Sequence, residues 1–272
     1  MSHSAHSPTP DLRIVETSHL HAHEEHDNQR SSPLIERLRL EPTIINPPLV
    51  APIGDDQFVI LDGANRVHSF NALGFAHMLV QVVSYDSGQV ELRSWHHVIS
   101  HWHGEAFRDQ LSRLRTVTSA HDFDPAASVR ILFPDHPEMR VDAPSVSLHE
   151  RNAILREFVA IYQQNATLNR TASADPNEVW QLYPQALAFV LFPSYHPTDI
   201  IIAAQEGAFL PPGISRHIVH GRAIRVNYPL HLLRDPKNSL SEKNKSLQIW
   251  LQHKLENRQV RYYAEATYQF DE

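Results

Sequence analysis

The chain has 272 residues, enough for one large domain or two small ones, and it can bury a sizeable core without metal or disulfide. Hydrophobic residues make up 42% and charged residues 20%, the balance of an ordinary globular protein, and the formal charge of −7 argues against default binding to nucleic acid or anionic lipid. Cysteine is absent, which excludes disulfides, thiolate nucleophiles and cysteine-ligated metal centres, and the eight glycines never lie closer than six positions apart, which excludes GxGxxG, P-loop and GxSxG motifs.

In chain order, the small polar and proline-bearing residues 1–11 read as a disordered tail, and the absence of a basic start followed by an apolar stretch gives the expectation of a cytoplasmic protein. The longest apolar run, Ala186 to Phe192, is far short of the roughly 20 residues a membrane helix needs. A first strand is predicted over Leu12–Val15, followed by the histidine-rich HLHAHEEHD of residues 19–27. Ser32 is expected to cap a helix starting at Pro33 and running to about Glu41, with Leu34, Ile35, Leu38 and Leu40 as its buried stripe.

Strands are predicted at Pro48–Ile53 and Phe58–Leu61, around a turn at Gly54-Asp55-Asp56. A helix follows within Asp62–Gly74, with Val67, Phe70, Asn71 and Leu73 in helical period and Gly74 as its stop. Strands at Met78–Val83 and Gln89–Ser94 complete a mixed α/β unit over residues 12–100. Beyond it, helices are predicted at Glu105–Arg115, Leu148–Gln164 and Leu240–Glu256. Strands are predicted at Val129–Phe133, Ala188–Phe192, Ile218–Val226 and Arg261–Phe270, and Pro134–Ser147 reads as loop. Residues 101–272 are thus expected to form an α+β domain packed against the first.

Four constellations could carry chemistry. At Phe58–Arg66 a strand ends in Asp62, Gly63 permits close backbone approach, and a helix N-terminus follows with Arg66 one turn in, which together make an anion site. The plainer reading is an N-capping Asp62 with a surface arginine. In His23-Glu24-Glu25-His26-Asp27, carboxylates beside histidines suit a general base; His19, His21 and His23 would share one face of an extended segment and could bind a metal. His96-His97 and His101-Trp102-His103 lack the glutamate of HExxH and read as structural. Pro211-Pro212-Gly213-Ile214-Ser215-Arg216-His217 brings a hydroxyl, a guanidinium and an imidazole together after a turn, which suits recognition of a carboxylate or phosphate.

The run from Pro47 to Val83, centred on DGANR, resembles the ParB/sulfiredoxin-like fold, in which a helix N-terminus holds nucleotide phosphates. Without cysteine, sulfiredoxin activity is excluded. Within that fold the chain resembles the free L-serine kinases, which include an archaeal ADP-dependent enzyme and the serine kinase of the staphyloferrin B locus. The resemblance rests on His23-Glu24, DGANR, Ala72–Gly74, RSWHH at 93–97, PPGISRHIVHGRAIRVNYPLHLL at 211–233 and RYYAEATYQFDE at the end.

The resemblance implies phosphoryl transfer from ATP or ADP, with Mg²⁺, to the hydroxyl of L-serine, giving O-phospho-L-serine for diaminopropionate (siderophore) or cysteine synthesis. It implies Glu24 as general base and Asp62 as the residue that orients the hydroxyl or holds Mg²⁺. Gly63, Ala64, Asn65 and Arg66 would form the phosphate cradle, and Trp95, Ser215, Arg216 and His217 would close the serine pocket. The family's usual DGxHR is here DGANR, so Asn65 can hydrogen-bond but cannot shuttle a proton. The alternative is a ParB-like nucleotide-responsive DNA-binding regulator, for which Lys243, Lys245, Lys254, Arg258 and Arg261 would supply a basic face, although no helix-turn-helix is evident. The oligomeric state is left open.

Overall fold

The structure is a computed structural model that describes residues 9–26, 28–114, 117–119, 128–142 and 147–263. It is a mixed α/β protein, and its chain divides into two compact units. The first comprises the described residues within 1–21, 26–91 and 219–272; the second comprises 22–25 and 92–218. This division differs from the boundary expected at residues 100 and 101. Residues from 219 onward return to the first unit, and a four-residue piece of the N-terminal region belongs to the second.

The core of the first unit is a five-stranded sheet in the order Asp11–Glu16, His77–Val82, Leu49–Gly54, Gln57–Asp62, Leu20–Ala22. Asp11–Glu16 runs antiparallel to His77–Val82, and Leu49–Gly54 lies parallel to the other side of that strand. Leu49–Gly54 and Gln57–Asp62 form the expected hairpin. Its turn residues Asp55 and Asp56 have φ of 43° and 58°, the left-handed pair that matches the twist of a tight hairpin and that aspartate tolerates. Ile14, Val50, Val59, Phe70, Met78, Leu79 and Val80 are fully buried between this sheet and its helices.

The helix Leu240–Glu256 begins where expected, at a Ser239/Glu242 capping box. Its Asn244 side chain accepts from the Ile14 N–H at 2.9 Å and donates to the Ile14 carbonyl at 2.8 Å, so an amide side chain occupies the free edge of the sheet as another strand would. Lys243 of the same helix is buried and donates to the Leu233 carbonyl at 2.7 Å, which takes it out of the expected basic face.

Several expectations need correction. The first helix spans Asn28–Leu40, so Ser32 is not its cap, and Pro33 lies inside it at the cost of one backbone hydrogen bond. Leu40 is 88% exposed, and Asn71 of the next helix is exposed too, because the buried positions there are Val67, Ser69 and Phe70. The strand expected over Ile218–Val226 runs instead from Ser215 to Val219. Arg261–Tyr263 carry no regular structure, and the remainder of the strand expected there, like residues 1–8, lies outside the described residues.

The second unit is built on a six-stranded sheet in the order Thr167–Thr171, His96–Ser100, Ala186–Leu191, Ser128–Leu132, Met139–Asp142, Val117–Ser119. Every neighbouring pair is antiparallel. Met139–Asp142 falls within the stretch that reads as loop. The helix Leu148–Gln163 starts at a Ser147/Glu150 capping box and buries Leu155, Phe158, Val159 and Tyr162. Asn152 on its buried side donates through Nδ2 to the Ala208 carbonyl at 2.6 Å, while its Oδ1 is buried without a hydrogen-bond partner among the described residues.

Candidate active site

In the first unit, Asp62 is the last residue of its strand and the helix Ala64–Ala72 starts two residues later. The residue capping the helix is Gly63, with φ of 94°, and no side chain caps it, so the plain capping reading of Asp62 does not hold. A Cβ on Gly63 would lie 3.1 Å from Pro48 Cβ, so both backbone conformation and space call for glycine. The first helical N–H groups, of Ala64, Asn65 and Arg66, have no partner within the helix, and the positive end of the helix dipole lies there.

The Asp62 carboxylate is half-exposed and engages two arginines through Oδ2. Arg222 Nη2 donates to it at 2.9 Å, and Arg66 Nη2 lies 3.6 Å away. Arg222 also donates to the Pro47 carbonyl at 3.0 Å, and Arg66 donates to the Asn46 carbonyl. Burial pushes Arg222 down to about 10, against the opposing pull of Asp62, and burial lowers Arg66 in the same way; both remain cations at neutral pH. Two guanidiniums against one carboxylate leave an excess positive charge beside a helix N-terminus, an arrangement that fits phosphate.

Asp62 Oδ1 makes no hydrogen bond among the described residues, so one oxygen remains for a cation. Mg²⁺ in phosphoryl transfer is commonly held by one or two carboxylates together with the substrate's phosphates, and the site fits that minimal role. No group of three or more His, Asp or Glu able to hold a metal by itself occurs among the described residues. The expected histidine row does not form. His19 lies in a 3₁₀ turn beside Glu16, His21 hydrogen-bonds Gln57, and His23 is buried with Ser215.

In the second unit, residues 23–25 run beside Leu210. Leu210 N–H donates to the His23 carbonyl at 2.9 Å, and Glu25 N–H donates to the Leu210 carbonyl at 3.0 Å. This pairing separates the neighbouring carboxylates. Glu24 Oε2 accepts from the Gly213 N–H at 2.9 Å, whereas Glu25 is ion-paired with Arg156 at 3.2 Å. Asp27, the third acidic residue of that run, lies outside the described residues. His23 Nε2 lies 2.7 Å from Ser215 Oγ, and its ring stands edge-on to His217 with centroids 5.6 Å apart.

Alternation along Ser215–Val219 sends Ser215 and His217 to the His23 side and Arg216 to the other, where its guanidinium sits 4.6 Å from the centre of the Trp95 ring. Trp95 N–H donates to the Ile214 carbonyl at 2.7 Å. The structure therefore gathers Glu24, Trp95, Ser215, Arg216 and His217 in one unit, but Arg216 and His217 do not share a face. His96 and His97 are buried in their strand, in keeping with the structural reading. Arg222 is the residue at Asp62 that sequence reading missed. It stands inside the 211–233 block, but nothing local distinguishes it from Arg216 or Arg225.

The fold is shared with known proteins. SbnI with C-terminal truncation from Staphylococcus aureus superposes with a TM-score of 0.72 over 91% of this chain and 97% of that one, at 18% identity. A free serine kinase in complex with AMP superposes with a TM-score of 0.69 over 86% and 98%, at 14% identity. In sequence, the chain is 32% identical over 83 residues to an ATP-dependent L-serine kinase of Desulfurococcus mucosus. It is 29% identical over 87 residues to an ATP-dependent L-serine kinase of Staphylothermus marinus. The chain spans about a third of the length of these curated relatives, 32% and 34%. No family model matches. The resemblance to the free L-serine kinases is thus found in fold and in sequence. No helix among the described residues is long and apolar enough to cross a membrane.

Proposed function

We propose that the protein is a free L-serine kinase that moves a phosphoryl group from ATP or ADP to the serine hydroxyl. The observation that carries this reading is the half-exposed Asp62 carboxylate, uncommitted to capping, between the Arg66 and Arg222 guanidiniums at the start of a helix. Phosphoryl transfer asks a protein mainly for positioning and charge neutralisation, and these groups supply both.

In this reading the backbone from Gly63 to Arg66, together with Arg66 and Arg222, binds the donor's phosphates. Asp62 holds Mg²⁺ or orients the serine hydroxyl. When bound, Mg²⁺ would neutralise charge that develops on the transferring group. Glu24 takes the hydroxyl proton, and Ser215, His217, Arg216 and Trp95 bind the rest of serine, with Arg216 or His217 meeting its carboxylate. Asn65 donates a hydrogen bond where the family's histidine would carry charge. The product would feed diaminopropionate-forming or cysteine-forming chemistry.

The test is incubation with L-serine, Mg²⁺ and either ATP or ADP, followed by phosphorus NMR. An O-phosphoserine resonance with one donor establishes the activity and names the donor. No resonance with either donor, in folded protein, overturns it.

A further inference from the structure

The Pro212–Gly213 peptide has a cation on its carbonyl side and a carboxylate on its N–H side. Arg170 Nη2 donates to the Pro212 carbonyl at 3.1 Å, and the Gly213 N–H donates to Glu24 Oε2 at 2.9 Å. Hydrogen bonds in such a chain polarise one another, so a charge on one side strengthens the bond on the other. Arg170 also packs directly on Gly213: a Cβ there would lie 2.0 Å from the guanidinium carbon, and Gly213 has φ of 75°. Only glycine fits both demands.

The sheet fixes Arg170 in turn. It stands directly opposite His97 on the neighbouring strand, so both side chains project from the same face. His97 is fully buried, with Nε2 3.5 Å from the Gly213 carbonyl and Nδ1 2.8 Å from the Tyr162 hydroxyl. A carbonyl only accepts, so Nε2 carries the proton and the Tyr162 hydroxyl donates to Nδ1. Two residues of the rigid sheet thus hold consecutive carbonyls of the turn, those of Pro212 and Gly213.

We infer that Arg170 is a positioning residue for Glu24, acting through the Pro212–Gly213 peptide to hold the carboxylate in place and strengthen its hydrogen bond. The kinetic part of this inference rests on the reading of Glu24 as general base; the positioning itself does not.

The experiment compares Arg170→Met, Arg170→Gln and Arg170→Lys with the parent protein in two readouts. The first is the chemical shift of the Gly213 amide proton, expected downfield in the parent. It should move upfield in both uncharged variants and return toward the parent value in Arg170→Lys. Glu24→Gln should move the same proton, and adding Arg170→Met to it should produce little further change. The second is steady-state kinetics with L-serine: kcat should fall about 10- to 100-fold in the uncharged variants with KM nearly unchanged, and Arg170→Lys should recover most of it.

The inference is overturned if the Gly213 resonance ignores Arg170, or if Arg170→Lys does no better than Arg170→Met. Should the uncharged variants fail to fold, Glu24→Gln and Arg170→Lys decide: the inference is overturned if the Gly213 proton does not move in Glu24→Gln, or if folded Arg170→Lys loses both the parent shift and the activity. A protein without kinase activity, but with the Gly213 shift coupled to Arg170, would sink the proposed function and leave the positioning intact.

Discussion

Arg222 and Asp62 stand 160 positions apart in the chain and meet at 2.9 Å. The contact places a second guanidinium beside Arg66 and gives the anion site its positive excess. Arg222→Met is therefore expected to weaken ADP binding about 10- to 100-fold, the loss of about 1.5–3 kcal/mol for one charged hydrogen bond. Titration calorimetry with ADP measures it; unchanged affinity in a folded variant would remove Arg222 from the phosphate site.

Asp62→Asn should act with opposite signs on binding and turnover. Removing the carboxylate leaves two uncompensated guanidiniums, so affinity for a nucleotide without metal should hold or rise. Turnover should fall by about 100-fold or more if the carboxylate places Mg²⁺ or the hydroxyl. Parallel loss of both affinity and turnover would contradict this division of labour.

Glu24→Gln keeps the Gly213 N–H paired with an acceptor oxygen but removes the base. Turnover should drop about 10²- to 10⁴-fold with little change in thermal midpoint. Glu25→Gln, which loses only the half-exposed Arg156 pair, should cost far less. A reversal of that order would transfer the base to Glu25.

His97 predicts an acid sensitivity of the fold. Burial pushes it down to about 3, whereas in the unfolded chain it titrates near ~6.5. Below ~6.5 the unfolded chain takes up a proton that the folded one refuses, so stability is complete above that value and is lost as pH falls toward 3. The slope approaches ~1.4 kcal/mol per pH unit. Urea unfolding at pH 5.0 and 7.5 should show a smaller pH-dependent difference for His97→Gln than for the parent; equal differences would refute the assignment.

Much of the fold was legible in local signals, and the exceptions have physical reasons. The helices starting at Leu148 and Leu240 announce themselves through Ser-x-x-Glu boxes, and Asp62-Gly63 marks its junction through a strand that stops and a glycine that turns. Pro33 misled because proline favours a helix start, yet this helix tolerates it in its interior. Thr167–Thr171 carries no clean alternation and is half-buried at the edge of its sheet, so its pairing with His96–Ser100 alone makes it a strand. Within the proposed site, Glu24, Asp62 and the residues 215–217 stand in motifs that single them out in the sequence. Arg222 and Arg170 were not, because each acts through a contact far away in the chain, and a lone arginine in sequence does not say what it touches.

The pairing of Asn244 with Ile14 has a consequence for how the protein comes off the ribosome. The second unit needs nothing beyond residue 218, so all of its parts have been made while the first unit still waits for its last segment. The edge of the first sheet is thus left open through most of translation and is covered by one of the final helices. A released chain truncated after residue 218 should resist protease in its middle and remain cleavable near its beginning.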